Sequence, residues 1–164
     1  MAATDPGDIL IRRGGLEEPA VQRLLAAHLA HSAASSPPES VHALASEALG
    51  ASDIAFWSAW SGEGEIAGCG ALRALDRGTG EVKSMHTASG FRRRGVARAL
   101  LGAILAEARA RRYDALLLET GSMAAFAAAR ALYAAHGFRP CGPFADYRPD
   151  PHSVFMRLAL DGPV

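Results

Sequence analysis

The segment from Glu81 to Arg112, EVKSMHTASGFRRRGVARALLGAILAEARARR, restricts the fold more than any other part of the chain. Its second half puts Val96, Leu100, Leu101, Ile104, Leu105 and Ala108 on one side of a helix, an apolar stripe that must be buried. Its first half, Glu81 to Thr87, has strand character, yet Val82 and Met85 stand three apart and break the two-residue alternation. A β-bulge between them returns both to one face, and bulges recur where a ligand approaches the backbone. Strand and helix are joined by a loop ending in Arg92, Arg93, Arg94 and Gly95. Three cations conflict with a helix start, whose unpaired N–H groups already carry partial positive charge. An anion in that place resolves the conflict; a solvated surface run is the plainer alternative for an isolated RRRG.

The rest of the chain supplies a frame for this unit. Asp8 to Arg13 is a short strand, and Glu17 to about His31 has the helical period of Val21, Leu24, Leu25 and Leu29. The loop SAASSPPES carries two prolines, and a second helix is expected from about Glu39 to Leu49 with Gly50 as its cap. Residues 54–60 and 66–75, separated by SGEGE and followed by DRGTG, form hairpins leading into the 81–87 strand. Downstream come a strand over Asp114 to Glu119, a helix over Met123 to His136 capped by Gly137, and a closing strand over 153–160, with a further strand around Phe138 to Cys141 as an option. The expected class is a mixed α/β (α+β) domain: a mostly antiparallel central sheet, four flanking helices, and one parallel strand–helix–strand unit.

Composition narrows the function. The 164 residues suit one domain, 1–164, better than two. Seventeen basic and seventeen acidic residues cancel, so no global field recruits nucleic acid or an anionic membrane, and any attraction for anions is local. No apolar run approaches the ~20 residues needed to span a bilayer, and the N-terminus lacks the pattern of a signal peptide. Cys69 and Cys141, without CxxC spacing, are expected to be reduced thiols of a cytoplasmic protein. His28, His31 and His42 cluster near the first helices without HExxH spacing or a cysteine partner, so no metal is expected. Arg109, Arg111 and Arg112 suit the C-terminal end of a helix dipole, and Trp57 and Trp60 suit sheet packing. The loop PFADYRPDPHS, with Asp146, Tyr147 and Arg148, either shapes an acceptor pocket or merely connects two strands.

Two motifs carry a family resemblance. FRRRGVARALL resembles the R/Q-x-x-G-x-G/A pyrophosphate loop of the GNAT superfamily of acyl-CoA-dependent N-acetyltransferases, with Arg92-x-x-Gly95-x-Ala97 as the match. ARALYAAHGF, from Ala129 to Phe138, resembles the A-x-x-L-Y-x-x-x-G-F signature of the family's last helix. The element order agrees over nearly the whole chain. The resemblance implies acetyl-CoA as co-substrate. Its pyrophosphate would rest on residues 92–97 (Arg92, Arg93, Arg94, Gly95, Val96 and Ala97), and its pantetheine arm would pair with the strand edge at Met85, His86 and Thr87. One departure stands out: where many relatives carry a cofactor-touching asparagine, seven residues before the tyrosine, this chain has Phe126.

The implied reaction is transfer of an acetyl group to a small-molecule, amino-acid-derived or peptide amine by direct attack in a ternary complex. An alkyl amine with a pKa near ~10 must lose a proton first. Glu81 lies where some family members place that base; its plainer reading is a surface carboxylate paired with Lys83. His86 is a lesser candidate. A backbone N–H freed by the bulge near Met85 would hold the oxyanion. Tyr133 matches the tyrosine the family uses as the acid for the leaving thiolate, against a plainer role in the core. A silent acyl-CoA-binding module of the same fold is the alternative, and a homodimer is expected by analogy.

Overall fold

A computed structural model of the chain describes residues 8–42 and 44–160. Its strands are β1 (Ile9–Arg13), β2 (Ile54–Ser61), β3 (Ile66–Ala74), β4 (Thr79–Thr87), β5 (Ala115–Gly121), β6 (Arg139–Cys141) and β7 (Ser153–Ala159). The helices are α1 (Pro19–Ser35), α2 (Ser46–Leu49), α3 (Val96–Ala110) and α4 (Ala127–Ala135). The strands make one seven-stranded sheet in the order β1-β2-β3-β4-β5-β7-β6. All neighbours are antiparallel except β4 and β5, which α3 joins as the parallel crossover. The mixed, mostly antiparallel sheet expected from the sequence is therefore present.

Helix α3 lies against one face of the sheet. Val96, Leu100, Leu101, Ile104 and Ala108 are each no more than 1% exposed and pack with Leu72, Val82, Leu116 and Leu118. Two glycines of β3 let the helix come this close: a Cβ on Gly68 would lie 2.7 Å from Val96 Cγ1, and one on Gly70 would lie 3.2 Å from Ile104 Cδ1. On the other face, Val21, Leu24 and Leu25 of α1 and Leu49 of α2 cover Phe56, Trp60, Cys69 and Ala71. Both cysteines are free thiols, Cys69 buried and Cys141 half-buried.

The bulge lies where the three-residue spacing puts it. Ala71 faces Lys83 and Cys69 faces His86, so β4 spends three steps where β3 spends two. Ser84 absorbs the extra residue with φ +57°. Val82 and Met85 consequently share the α3 face, while Glu81, Lys83 and His86 turn toward α1.

One expected helix is largely absent. In place of a helix over Glu39–Leu49, a 3-10 turn occupies Pro38–Ser40 and only Ser46–Leu49 is α-helical. Tertiary contacts override the local pattern there. The Ser40 hydroxyl donates to the Asp150 carboxylate, and the His42 ring stands edge-on to Tyr147 at 4.9 Å. Helix α1 starts at Pro19 and runs to Ser35, past the expected stop at His31, and β6 forms at Arg139–Cys141.

Candidate active site

The parallel pair is incomplete. β4 and β5 are in register only from Thr79↔Ala115 to Val82↔Leu118, although the strands continue to Thr87 and Gly121. β4 stays paired with β3 as far as Thr87 and β5 with β7 as far as Gly121, so the two halves of the sheet part from each other there. The departure begins at the bulge, as expected for a strand bent by an extra residue. A wedge opens at the C-terminal ends of the parallel pair, where open α/β sheets commonly take ligands.

A cavity of about 120 Å³ fills the wedge. Glu81, Lys83 and Ser84 of β4 border it on one side and Glu119 and Gly121 of β5 on the other. Phe126 and Tyr133 close one end, and His28, Ser40 and His42 supply the α1 side. Ser84 Oγ is buried with no hydrogen-bond partner among the described residues, an orphaned polar atom in a cavity wall.

Charge in the cavity is arranged in two parts. Glu81 is 1% exposed, so the surface position of its plainer reading is not what the fold provides. Lys83 Nζ donates to Glu81 Oε2 at 3.2 Å, the Tyr147 hydroxyl donates to the same oxygen at 2.6 Å, and Lys83 also donates to the Tyr147 oxygen at 2.9 Å. Of the three residues singled out in the loop before β7, Tyr147 reaches the site while Asp146 and Arg148 are exposed. Glu119 is the second carboxylate, one residue past the last β4–β5 pair. Burial pushes its pKa up to about 7, with Glu81 and Asp150 adding to the rise and Lys83 opposing it. It was not among the expected site residues. The signal available was a lone carboxylate closing the apolar run ALLL on a parallel strand.

Tyr133 is 5% exposed, its ring edge-on to Phe138 at 5.7 Å, and burial raises its phenol well above the ordinary range. The Phe126 ring packs against Gly121, where a Cβ would fall 2.2 Å from it. The same ring stands edge-on to His31 of α1 at 5.5 Å, so it bridges β5 and α1 across the mouth of the wedge. The Arg130 guanidinium fixes the intervening turn by donating to the carbonyls of Gly121 and Met123 at 2.7 and 2.9 Å.

His86 does not enter the cavity but turns to α1, where its Nδ1 lies 3.3 Å from Nδ1 of His28. Burial, with His31 and Arg92 as further causes, holds His86 down to about 4; His28 falls to about 4 for the same first reason, with His86, His31 and Lys83 as further causes. Among the described residues, no group of three or more His, Cys, Asp or Glu side chains is arranged to hold a metal ion, and no helix is long and apolar enough to cross a membrane.

Beyond β4, Arg92, Arg93, Arg94 and Gly95 are exposed and lead into buried Val96 and half-buried Ala97. Arg93 and Gly95 are both left-handed, at φ +62° and +81°, with Arg94 between them stacked over Phe91 at 4.8 Å. Such alternation at a helix start gathers successive N–H groups into an anion-binding concavity. A Cβ on Gly95 would meet nothing within 4 Å, so space remains on the side where an anion would sit.

Comparison with known proteins agrees with this geometry. A family model described as the acetyltransferase (GNAT) family matches residues 22–138. The N-acetyltransferase YsnE of Bacillus subtilis is 54% identical over 140 residues, 85% of this chain and 92% of that protein. YedL of Escherichia coli, also named an N-acetyltransferase, is 50% identical over 150 residues, 92% and 94% of the two chains. Among solved structures, a Klebsiella pneumoniae protein described as an acyl-CoA N-acyltransferase has a TM-score of 0.75 at 30% identity, covering 94% of this chain and 99% of its own.

Proposed function

Because the chain belongs to the GNAT family of acetyltransferases, enzymes that use acetyl-CoA, we propose that it moves the acetyl group onto a primary amine of a small molecule, amino-acid derivative or peptide by direct attack in a ternary complex. The observation that carries this reading is the split between β4 and β5, with a cationic, left-handed loop at one end and Tyr133, Ser84 and Glu119 at the other.

Acetyl-CoA fits the residues present. Past Val82, the edge of β4 facing β5 has no strand partner, and the backbone of Met85, His86 and Thr87 offers its groups to the amide-bearing pantetheine arm. The concavity from Arg92 through Ala97, with Arg93 and Arg94 at its rim, takes the pyrophosphate on N–H groups and guanidiniums. Phe126 lines the arm by packing in place of a polar contact. The thioester end then lies at the bulge, where the Ser84 hydroxyl and a backbone N–H near Met85 are donors for the developing oxyanion.

Proton movement follows from the two carboxylates. Glu81 already accepts from Lys83 and Tyr147, so in this proposal it orders the acceptor side. Glu119, poised near neutrality by burial, takes the proton from the ammonium. The free amine attacks the thioester carbon and the tetrahedral adduct collapses with cleavage of the C–S bond; the Tyr133 phenol, which burial keeps protonated, gives its proton to the leaving sulfur and is restored by the second proton of the attacking nitrogen. The products are the N-acetyl amine and CoA thiol, with one proton released from the ammonium. The proposal extends to a cytoplasmic homodimer, for which the two unbridged thiols and the open edge of β1 are the support.

The test is release of CoA thiol from acetyl-CoA with a panel of amines, comparing Glu119→Gln with Glu81→Gln. The expected result is amine-dependent release that Glu119→Gln nearly abolishes. Release that survives Glu119→Gln and is lost in Glu81→Gln returns the base to Glu81.

A further inference from the structure

A second depression, of about 330 Å³, lies on the α1 face beside the end of β4. Its polar lining is Arg23 and His31 of α1, His86 of β4, and Ser89 and Arg92 of the following loop. The rest is small or aliphatic, and no carboxylate among the described residues borders it. Neither Arg23 nor Arg92 forms an ion pair among the described residues. Arg23 and His31 stand two helical turns apart with Ala27 between them, so both project over one strip of open groove.

This groove adjoins the reaction cavity. His28 lines the cavity, His86 lines the groove, and their Nδ1 atoms are 3.3 Å apart, so the two spaces share a wall one imidazole pair thick. Both open on the α1 side of the sheet. Helix α3, whose first turn is the pyrophosphate cradle of the proposed function, packs on the opposite face. Arg92 opens the cradle with its backbone and lines the groove with its side chain, so the groove's occupant meets the reaction cavity from the acceptor side, across the His28–His86 wall.

We propose that the groove is an oxyanion subsite for the acceptor, which is an amine that also bears a carboxylate or phosphate. The guanidiniums of Arg23 and Arg92 pair with the acidic group, the alanine-lined floor takes the carbon spacer, and the amine turns to the carboxylates of the neighbouring cavity. The arrangement discriminates against amines with a second positive charge in that position. This inference rests on acetyl transfer as the reaction.

The experiment uses pairs of amines matched except for the acid, 4-aminobutanoate with butylamine and phenylalanine with phenethylamine, and the exposed substitution Arg23→Glu alongside Arg23→Lys. The wild type should favour the carboxylated member of at least one pair by about tenfold or more in kcat/KM, the scale of a charge-assisted hydrogen bond. Arg23→Glu should erase that preference through KM and leave the KM of acetyl-CoA and of the neutral amine unchanged, with Arg23→Lys recovering part of it. Equal use of both members, turnover of neither, or indifference to Arg23→Glu overturns the subsite. A rise in the KM of acetyl-CoA that is absent with 3′-dephospho-acetyl-CoA assigns the groove to the cofactor's phosphate instead, which also overturns it. Failure of acetyl-CoA to stabilise the fold is a separate result and removes the transferase reading beneath.

Discussion

The Tyr147 hydroxyl donates to Glu81 Oε2 at 2.6 Å, joining the loop before β7 to the first half of β4. The same oxygen of Tyr147 accepts from Lys83, and its ring packs against His42, Phe144 and Phe155. One phenol thus ties three segments around the acceptor side of the cavity. Burial and the Glu81 charge both raise its pKa, so it stays a donor at neutral pH.

Tyr147→Phe keeps the ring contacts and removes this bond to a charged partner. Loss of such a bond costs about 1.5–3 kcal/mol. Denaturant unfolding should show that drop, and steady-state kinetics should show a higher acceptor KM with the KM of acetyl-CoA unchanged.

Glu119 gives the reaction its pH dependence. With its carboxyl raised to about 7, the base form appears as pH rises, so kcat/KM should climb through about pH 7 and level above it. Glu119→Gln should lower the plateau by about 10²–10⁴-fold and remove the inflection; Glu81→Gln should keep the inflection. Stability moves the opposite way. A carboxyl whose pKa is raised from 4.5 in the fold contributes most below that value, and the contribution is lost as pH rises through about 7. Relative to wild type, Glu119→Gln should therefore gain in melting temperature between pH 5 and pH 8.

Tyr133→Phe removes the donor to the leaving sulfur from a ring that is otherwise held by Phe138 and the core. Turnover should fall by about 10²-fold or more. Calorimetric affinity for acetyl-CoA should stay within about twofold, because the substitution leaves the loop and the strand edge intact.

Ser84 has the left-handed backbone of the bulge and an unpaired buried hydroxyl. Left-handed conformation costs an L-residue about 1–2 kcal/mol, and an unsatisfied buried hydroxyl costs about 1–3 kcal/mol. Glycine relieves both, less its own entropy of about 0.5–1 kcal/mol. Ser84→Gly should raise the melting temperature while lowering kcat, since the hydroxyl is assigned to the oxyanion. Unchanged kcat would leave the backbone N–H as the donor.

Much of the fold was legible because local pattern and tertiary packing agree. The three-residue step from Val82 to Met85 signalled the bulge, and the α3 stripe signalled the buried face. Gly95 and Gly137 marked a helix start and a helix end, both at positive φ. The Glu39–Leu49 helix failed for the opposite reason. Ser40 and His42 answer to Asp150 and Tyr147, more than a hundred positions away along the chain, and no local pattern carries that information. Glu119 was overlooked on similar grounds. Its environment is created by β4 leaving β5 after Val82↔Leu118, a consequence of sheet geometry that the word ALLLE does not contain. Glu81 was found by position, but its burial and its link to Tyr147 were not visible in sequence.

The most direct test of the whole account is thermal unfolding with and without acetyl-CoA. A ligand held by the β4 edge and the Arg92–Ala97 loop should, at about 100 times its Kd, add roughly 2.7 kcal/mol and raise the melting temperature. The shift should shrink when Gly95→Ala strains the left-handed start of α3. An unchanged melting temperature in millimolar acetyl-CoA would contradict the account.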